Sequence, residues 1–375
     1  MRSHIVITSP AYGGAEKRFF DIFTALLRTG CDVRFIAPVA LVDALRKDHP
    51  GRTDALNALI PVPSDPWTPG GFIKAFRRVL AGLPRGAAYH YPLNCLWPLH
   101  IGRGDRVTMS VVDCARVPRP TSKRRVDLWD WLSFFFVKRV DVLSPTVFEA
   151  MNGYQMAGRM SLTPGGTFLL PEIEPSAGKT NSAVLLGRLV EKKGLDDFFD
   201  VLPALWDKLK GKVADDFEFQ IAGYGPLEQR VVARVGALAA AGVPVRFLGY
   251  ANANELLPTS SIVFTMQEIT NFPSRVVAEA MSAGCGVIVR DTGDSRQFGE
   301  GLPGLLYCKA QLDAEEIASQ ILRLTQDFAT TPGFRQSICA AATNAFSAPS
   351  YIEYFRVLFV PSAGARGDHG QTYLR

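Results

Sequence analysis

The sequence predicts an α/β protein made of two doubly wound, parallel-sheet domains, and three observations carry that reading. Short β-branched runs alternate with amphipathic helical patterns along the chain, the rhythm that builds parallel sheets. At 375 residues the chain exceeds the roughly 250–300 residues at which one hydrophobic core stops growing. Residues 171–181 (PEIEPSAGKTN) have linker composition, and a fresh strand–loop–helix pattern starts behind them. The expected division is a first domain over 1–170, a second over 171–345, and 346–375 as a helix crossing back to the first domain followed by a disordered tail. Two parallel sheets, each with a ligand edge, predict a cleft that a substrate bridges.

Taken in order, residues 3–9 (SHIVITS) read as the first strand, PAYGG (10–14) as a glycine loop and 15–28 as a helix. Residues 32–38 and 40–47 repeat the pattern, and 51–70 are proline-rich without a clear period. A helix is expected over 71–83, with Lys74, Arg77 and Arg78 on its polar side, then strands over 87–91 and 106–112. Residues 126–139 read as a helix loaded with aromatics, 141–144 as a short strand, and 160–167 (MSLTPGGT) as the end of the domain. The second domain reads as strands at 183–186, 217–222, 245–248, 261–265, 287–289 and 305–307. Its helices are expected at 195–210, 254–257, 314–330 and 333–346, with a last helix over 351–359. No internal repeat of roughly 20–50 residues is apparent.

Composition narrows the classes. With 47% hydrophobic and 21% charged residues the chain is globular rather than disordered. No apolar run approaches the roughly 20 residues that span a bilayer, and the N-terminal run is too short for a signal-peptide core, so a cytoplasmic location is expected. The six cysteines are scattered, without a C-x-x-C pair or a histidine at ligand spacing, which argues against structural zinc and a disulfide framework. A net charge of +5 suits anionic small molecules or an anionic membrane surface and is too weak to argue nucleic acid.

The chemistry concentrates in NFPSRVVAEAMSAGCGVIVRDTGDSR (271–296). Pro273 is expected to set the first helical turn, and Ser274 either caps its free amides or leaves them to a phosphate. Glu279 follows Arg275 by one turn, so it shares that face and can accept two hydrogen bonds from a vicinal diol such as a ribose. Diphosphate plus ribose is most of a sugar nucleotide. The same residues also read as ordinary helix-then-strand packing with a solvated carboxylate. Earlier, GRLVEKKG (187–194) brings Arg188 and Lys193 together in a tight loop, a fork of donors beside a point charge for a diphosphate. Alone, that loop reads equally as a solvated basic turn.

G-R-L-V-x-x-K-G (187–194), I-A-G-x-G-P-L (221–227), V-x-F-L-G (245–249) and N-F-P-S-R-V-V-A-E-A-M-S-A-G (271–284) form an ordered series. It resembles the C-terminal half of glycosyltransferase family 4, whose members are retaining enzymes of the GT-B fold that use sugar nucleotides. The likeness is close over 182–306 and looser in the first half, where PAYGGAEKRFFDIFTAL resembles the family's glycine loop and first helix. It implies a retaining, metal-independent transfer from a nucleoside-diphosphate sugar, with no cofactor besides that donor. The acceptor would be a glycan or lipid-linked glycan in cell-surface polysaccharide or glycoconjugate synthesis. By position, Arg188 and Lys193 would hold the diphosphate and Glu279 the ribose, while Ser274, Arg275 and Val276 would offer amides to the phosphate or sugar. Gly187, Gly223, Tyr224 and Gly225 would line the nucleotide, with the base near 223–225 and the segment after Gly249, and Gly13 and Gly14 would let the first domain approach the donor.

Two departures stand out. The family sets two glutamates seven residues apart from each other in the intervening sequence, and the first place here is Asn271, with Glu268 three residues earlier as the alternative. The family's histidine–aspartate pair at the end of the strand 106–112 is here Val112–Asp113, so Asp113 or His90 takes part of that duty or the acceptor site is built differently. A GT-B shell that binds without transfer, and a sugar-nucleotide epimerase, are the rival readings. A dinucleotide oxidoreductase is disfavoured because no G-x-G-x-x-G opens either domain. The aromatic helix 126–139, flanked by Lys123–Arg125 and Lys138–Arg139, and the segment 72–78 allow peripheral membrane contact, against the plainer reading of buried packing.

Overall fold

The computed structural model describes residues 2–64, 66–92, 94–111, 128–152, 159–163, 170, 179–270, 272–346 and 350–359. The expectations for Val112, Asp113 and Asn271, for most of the linker and for the tail beyond 359 lie outside these residues. By their contacts, residues 1–164 with 349–375 form one unit and 165–348 a second.

The first unit runs β1 (Ser3–Val6), α1 (Gly14–Arg28), β2 (Val33–Pro38), α2 (Val39–Asp48), α3 (Thr53–Asn57), β3 (Leu59–Val62), α4 (Pro69–Ala81), β4 (Ala88–Tyr91), β5 (Arg106–Val111), α5 (Leu128–Phe136), β6 (Arg139–Val142), α6 (Pro145–Asn152) and β7 (Met160–Leu162). Its strands form one seven-stranded sheet, parallel throughout, in the order β3-β2-β1-β4-β5-β6-β7. The second unit runs β8 (Ser182–Leu186), α7 (Leu195–Leu209), β9 (Glu218–Ala222), α8 (Glu228–Ala240), β10 (Val245–Gly249), α9 (Ala253–Thr259), β11 (Ile262–Thr265), α10 (Arg275–Ser282), β12 (Gly286–Arg290), β13 (Leu305–Cys308), α11 (Ala314–Thr330) and α12 (Phe334–Phe346). Its sheet is β10-β9-β8-β11-β12-β13, again parallel. The chain ends its described course in α13 (Ser350–Phe359), which packs on α1 and places Phe355 and Leu358 in the first unit's core.

Parallel strands are covered by helices on both faces, so they are apolar on both. Val184, Ile221, Phe264 and Ile288 are fully or almost fully enclosed, and Phe198 of α7 closes on Phe264 with ring centroids 4.9 Å apart. Each such side chain contributes about 1.5–3 kcal/mol by leaving water.

Several elements differ from expectation. The proline-rich 51–70 holds α3 and β3, and Pro61 is tolerated because β3 is an edge strand with one unpaired side. Arg139 begins a strand instead of ending the aromatic helix, because Val140 and Val142 fill the sheet core. Pro273 is not the first helical residue: it follows a cis Phe272–Pro273 bond, and α10 starts at Arg275 behind the cap Ser274. In α4, Phe72 and Phe76 are buried and stacked 5.9 Å apart, so the apolar side of 72–78 serves the core and not a membrane.

Both sheets reverse strand order beside their first strand, between β1 and β4 and between β8 and β11. In open α/β sheets the crevice outside the carboxyl ends at such a reversal is where ligands bind.

Candidate active site

In the second unit the loops at that reversal are the two that the sequence singles out. Residues 187–194 leave β8, and residues 266–274 leave β11 and enter α10. Backbone bonds fix them to each other and to the β9 loop. Glu268 N donates to Lys192 O at 3.1 Å, Leu189 N to Tyr224 O at 2.9 Å and Leu227 N to Leu189 O at 3.1 Å. Two glycines make this approach sterically feasible. A Cβ on Gly194, which sits at φ +70°, would lie 1.7 Å from Met266 O, and one on Gly223 would lie 1.8 Å from Gly187 O. A Cβ on Gly225 would lie 2.4 Å from Leu189 O.

Within this frame Arg188 is exposed and Lys193 half-buried. Burial, and next the positive charge of Arg188, hold the Lys193 ammonium below the ordinary lysine value of 10.5. The loop's own carboxylate, Glu191, turns away to Arg230 at 3.7 Å. No carboxylate among the described residues pairs with Arg188 or Lys193. Two neighbouring cations, one partly desolvated and neither neutralised, form a site for an anion.

On α10, Arg275 Nε donates to Glu279 Oε1 at 2.7 Å, as the one-turn spacing predicts, and both side chains are largely buried. Ser274 is buried and its Oγ accepts from Val277 N at 3.3 Å, so the cap uses the third amide of the helix rather than those of Arg275 and Val276. Glu268 carries an exposed side chain at the rim, beside Lys192. Sequence reasoning passed over what holds this rim. Thr292 Oγ1 donates to Ile269 O at 2.6 Å and to Gln267 O at 3.0 Å, and Thr270 Oγ1 accepts from Asp294 N at 3.1 Å. Tyr250, 67% exposed in the segment behind Gly249 that the resemblance sets near the base, meets the Tyr224 ring at 5.5 Å.

In the first unit, Gly13 N donates to Glu16 Oε2 at 3.0 Å, capping α1, while a Cβ on Gly14 would meet nothing within 4 Å. His90 does not reach a surface. Both ring nitrogens are engaged inside the sheet's α1 face, Nδ1 with Thr108 Oγ1 at 2.9 Å and Nε2 with Ser110 Oγ at 3.0 Å. Ser110 donates onward to Asp141 Oδ2 at 2.9 Å, so Ser110 accepts from Nε2–H and Thr108 donates to Nδ1. Asp141 also receives Thr163 Oγ1 at 2.7 Å and the Tyr354 hydroxyl of α13. Burial drives the His90 pKa well below 6.5 and raises that of Asp141. The expected part for His90 in acceptor chemistry therefore gives way to a structural one: a neutral imidazole in a buried polar chain. Among the described residues no group of three His, Cys, Asp or Glu side chains converges as a metal site would.

Two parallel, doubly wound sheets of this order, with their loops at the strand reversal, define a GT-B fold. Residues 180–327, from the start of β8 through most of α11, match the sequence model of the family described as Glycosyl transferases group 1. No curated protein matches the chain in sequence. Among solved structures it resembles Anabaena Alr3699/HepE, determined in complex with UDP-glucose, at TM-score 0.73 and 14% identity over 96% of this chain and 99% of that one. It also resembles sucrose-phosphate synthase from Thermosynechococcus elongatus (TM-score 0.67, 16% identity, 95% and 98% covered) and a glycosyltransferase from Rickettsia africae (0.66, 15%, 95% and 97%). At such identities the likeness is one of fold.

Proposed function

We propose that the chain is a retaining glycosyltransferase. It passes a sugar from a nucleoside-diphosphate sugar to a glycan or lipid-linked glycan, in the synthesis of a cell-surface polysaccharide or glycoconjugate. The observation that carries this reading is the un-neutralised Arg188–Lys193 pair on the loop leaving β8 at the strand reversal. The family match over 180–327 and the UDP-glucose complex of the HepE structure support it.

As the bond from the sugar's anomeric carbon to the diphosphate breaks, negative charge grows on the leaving oxygen. Arg188 and Lys193, already in place, lower the energy of that charge more than they lower that of the intact donor. The acceptor hydroxyl attacks from the face the diphosphate leaves, and its proton passes to the departing phosphate oxygen. Glu279 keeps Oε1 on Arg275 and turns Oε2 to the ribose hydroxyls. Tyr224, with Gly223 and Gly225, borders the base, and the first amides of α10 take the phosphate or the sugar. Asn271 or Glu268 meets the hydroxyls of the donor sugar. Gly13, Gly14 and Asp113 belong to the first unit's share of the site. With two side chains neutralising the leaving group, the scheme requires no metal.

Purified protein is screened against nucleotide sugars by thermal shift, then incubated with the stabilising donor and candidate acceptors. The expected result is acceptor-dependent release of nucleoside diphosphate and a product with the donor's anomeric configuration. An inverted product overturns retention, an isomerised donor without acceptor makes the protein an epimerase, and binding with neither hydrolysis nor transfer makes it a binding shell. Arg188→Ala or Lys193→Ala is expected to lower turnover about 10²-fold or more, the scale of losing one charge-stabilising donor.

A further inference from the structure

We propose that the amino edge of the first unit's sheet, opposite its carboxyl ligand edge, is a docking surface for an anionic phospholipid bilayer. The starting point is a cluster of exposed apolar side chains. Ile101 is 65% exposed, Phe135 59% and Phe136 46%, and the Phe136 ring lies flat on Trp97 at 4.2 Å. That stack joins the end of α5 to the turn Trp97–His100, so Ile101, directly behind the turn, belongs to the same patch.

The strands that start beside this patch start on cations. Arg106 opens β5, Arg139 opens β6 and Arg159 immediately precedes β7; these are consecutive neighbours in the sheet. Arg85 lies just before β4, in a loop tied down by Gly86 N donating to Arg103 O at 3.1 Å. Arg159 reaches Phe135 O at 3.0 Å, and Lys138 N donates to Val107 O at 2.8 Å, which sets both cations against the apolar group. The Arg106 guanidinium is disfavoured by burial and next by Arg139, a pair of like charges side by side.

The segments forming this edge, 83–87, 101–106, 135–139 and 159, contain one carboxylate, Asp105. Its side chain is fully buried on Arg103 and His100, so it offers nothing to the other cations. Among the described residues no carboxylate pairs with Arg85, Arg106, Lys138 or Arg139. Aromatic and aliphatic side chains in a rim of uncompensated lysine and arginine are the chemistry of an interfacial anchor. The apolar groups enter the headgroup boundary while the cations meet anionic lipid. Among the described residues no helix is long and apolar enough to cross a membrane, so the contact is made from one side.

This edge lies on the far side of the sheet from the ligand edge, so the proposal stands apart from the identity of the acceptor. The test uses the full chain with vesicles of phosphatidylcholine alone and of phosphatidylcholine with phosphatidylglycerol, followed by co-sedimentation. Wild type is expected on the anionic vesicles, with little on the neutral ones, and is expected to leave them in 1 M salt, where the screening length is about 3 Å. Lys138→Gln with Arg139→Gln is expected to weaken binding by about tenfold or more, since each charge near such a surface is worth about fivefold. Ile101→Ser with Phe135→Ser is expected to abolish it. Absence of wild-type binding, equal binding to both vesicles, or unaffected variants overturns the proposal. Self-association that the Ile101/Phe135 variant disperses, without vesicle binding, gives the face to a second copy and also overturns it. The thermal response to a nucleoside diphosphate, read on the same samples, confirms folding; its persistence when vesicle binding fails rejects this surface and leaves the transferase reading standing.

Discussion

In the proposed scheme one carboxylate, that of Glu279, serves two partners. Oε1 takes the Arg275 guanidinium at 2.7 Å, and the reaction scheme turns Oε2 to a ribose. Glu279→Gln keeps the shape and removes the charge. Nucleoside-diphosphate affinity is expected to fall about tenfold, the difference between a charge-assisted and a neutral hydrogen bond. Stability is expected to drop by about 1–3 kcal/mol because the charge-assisted bond between the two largely buried side chains becomes a neutral one. Calorimetry and thermal unfolding read the two separately, and a lower melting point with unchanged nucleotide affinity would reduce Glu279 to a partner of Arg275. This facing was legible because residues four apart on a helix always share a side. The Ser274 cap was legible for a similar local reason. His90 was not, since Phe19, which packs on it, and Phe355, which packs on Phe19, come from helices far away in the chain.

Among elements, the β8 loop depends on close backbone approach. Gly194→Ala would force an L-residue to φ +70° and drive its methyl into Met266 O, separating the loop of Lys193 from that of Glu268. Loss of both melting temperature and nucleotide affinity is expected. Gly187→Ala, whose methyl meets no protein atom within 4 Å, is expected to keep the melting temperature. Equal tolerance of the two substitutions would contradict this account of the loop. Strand-to-helix rhythm revealed most elements, but α3, β3, α6 and α8 escaped it, and the start of β6 reads as helix. β3 carries Pro61, which the edge of the sheet permits. α8 follows its glycine loop directly, and its small alanines give a weak apolar stripe in which only Val231, Val235 and Leu238 are buried. Arg139 follows the apolar run 134–137 (FFFV), where helix and strand look alike, and tertiary packing decides between them.

For the whole chain, buried histidines set an acid limit. Burial lowers His4 from 6.5 to about 4 and His90 well below 6.5, and it lowers His100 as well. Each is neutral when folded and takes up a proton more readily when unfolded. Their contribution is therefore complete above pH 6.5 and is lost as pH falls toward 4, on the order of 3 kcal/mol for His4 alone. His4→Phe, which keeps a ring stacked on Tyr89, is expected to flatten the fall in unfolding free energy over that window; identical slopes would contradict the assignment. The two-domain order and the four motifs of the second unit were visible in sequence because each is a local pattern, whereas the strand reversal beside which they lie is a property of the assembled sheet. The central claim is that an anionic donor rests on Arg188 and Lys193, and calorimetric titration with a nucleoside diphosphate tests it most directly. Wild type is expected to bind one equivalent and the Arg188→Ala, Lys193→Ala double variant to bind about 10²-fold more weakly, the worth of two charge-assisted bonds. Equal affinity in the two proteins would contradict the claim.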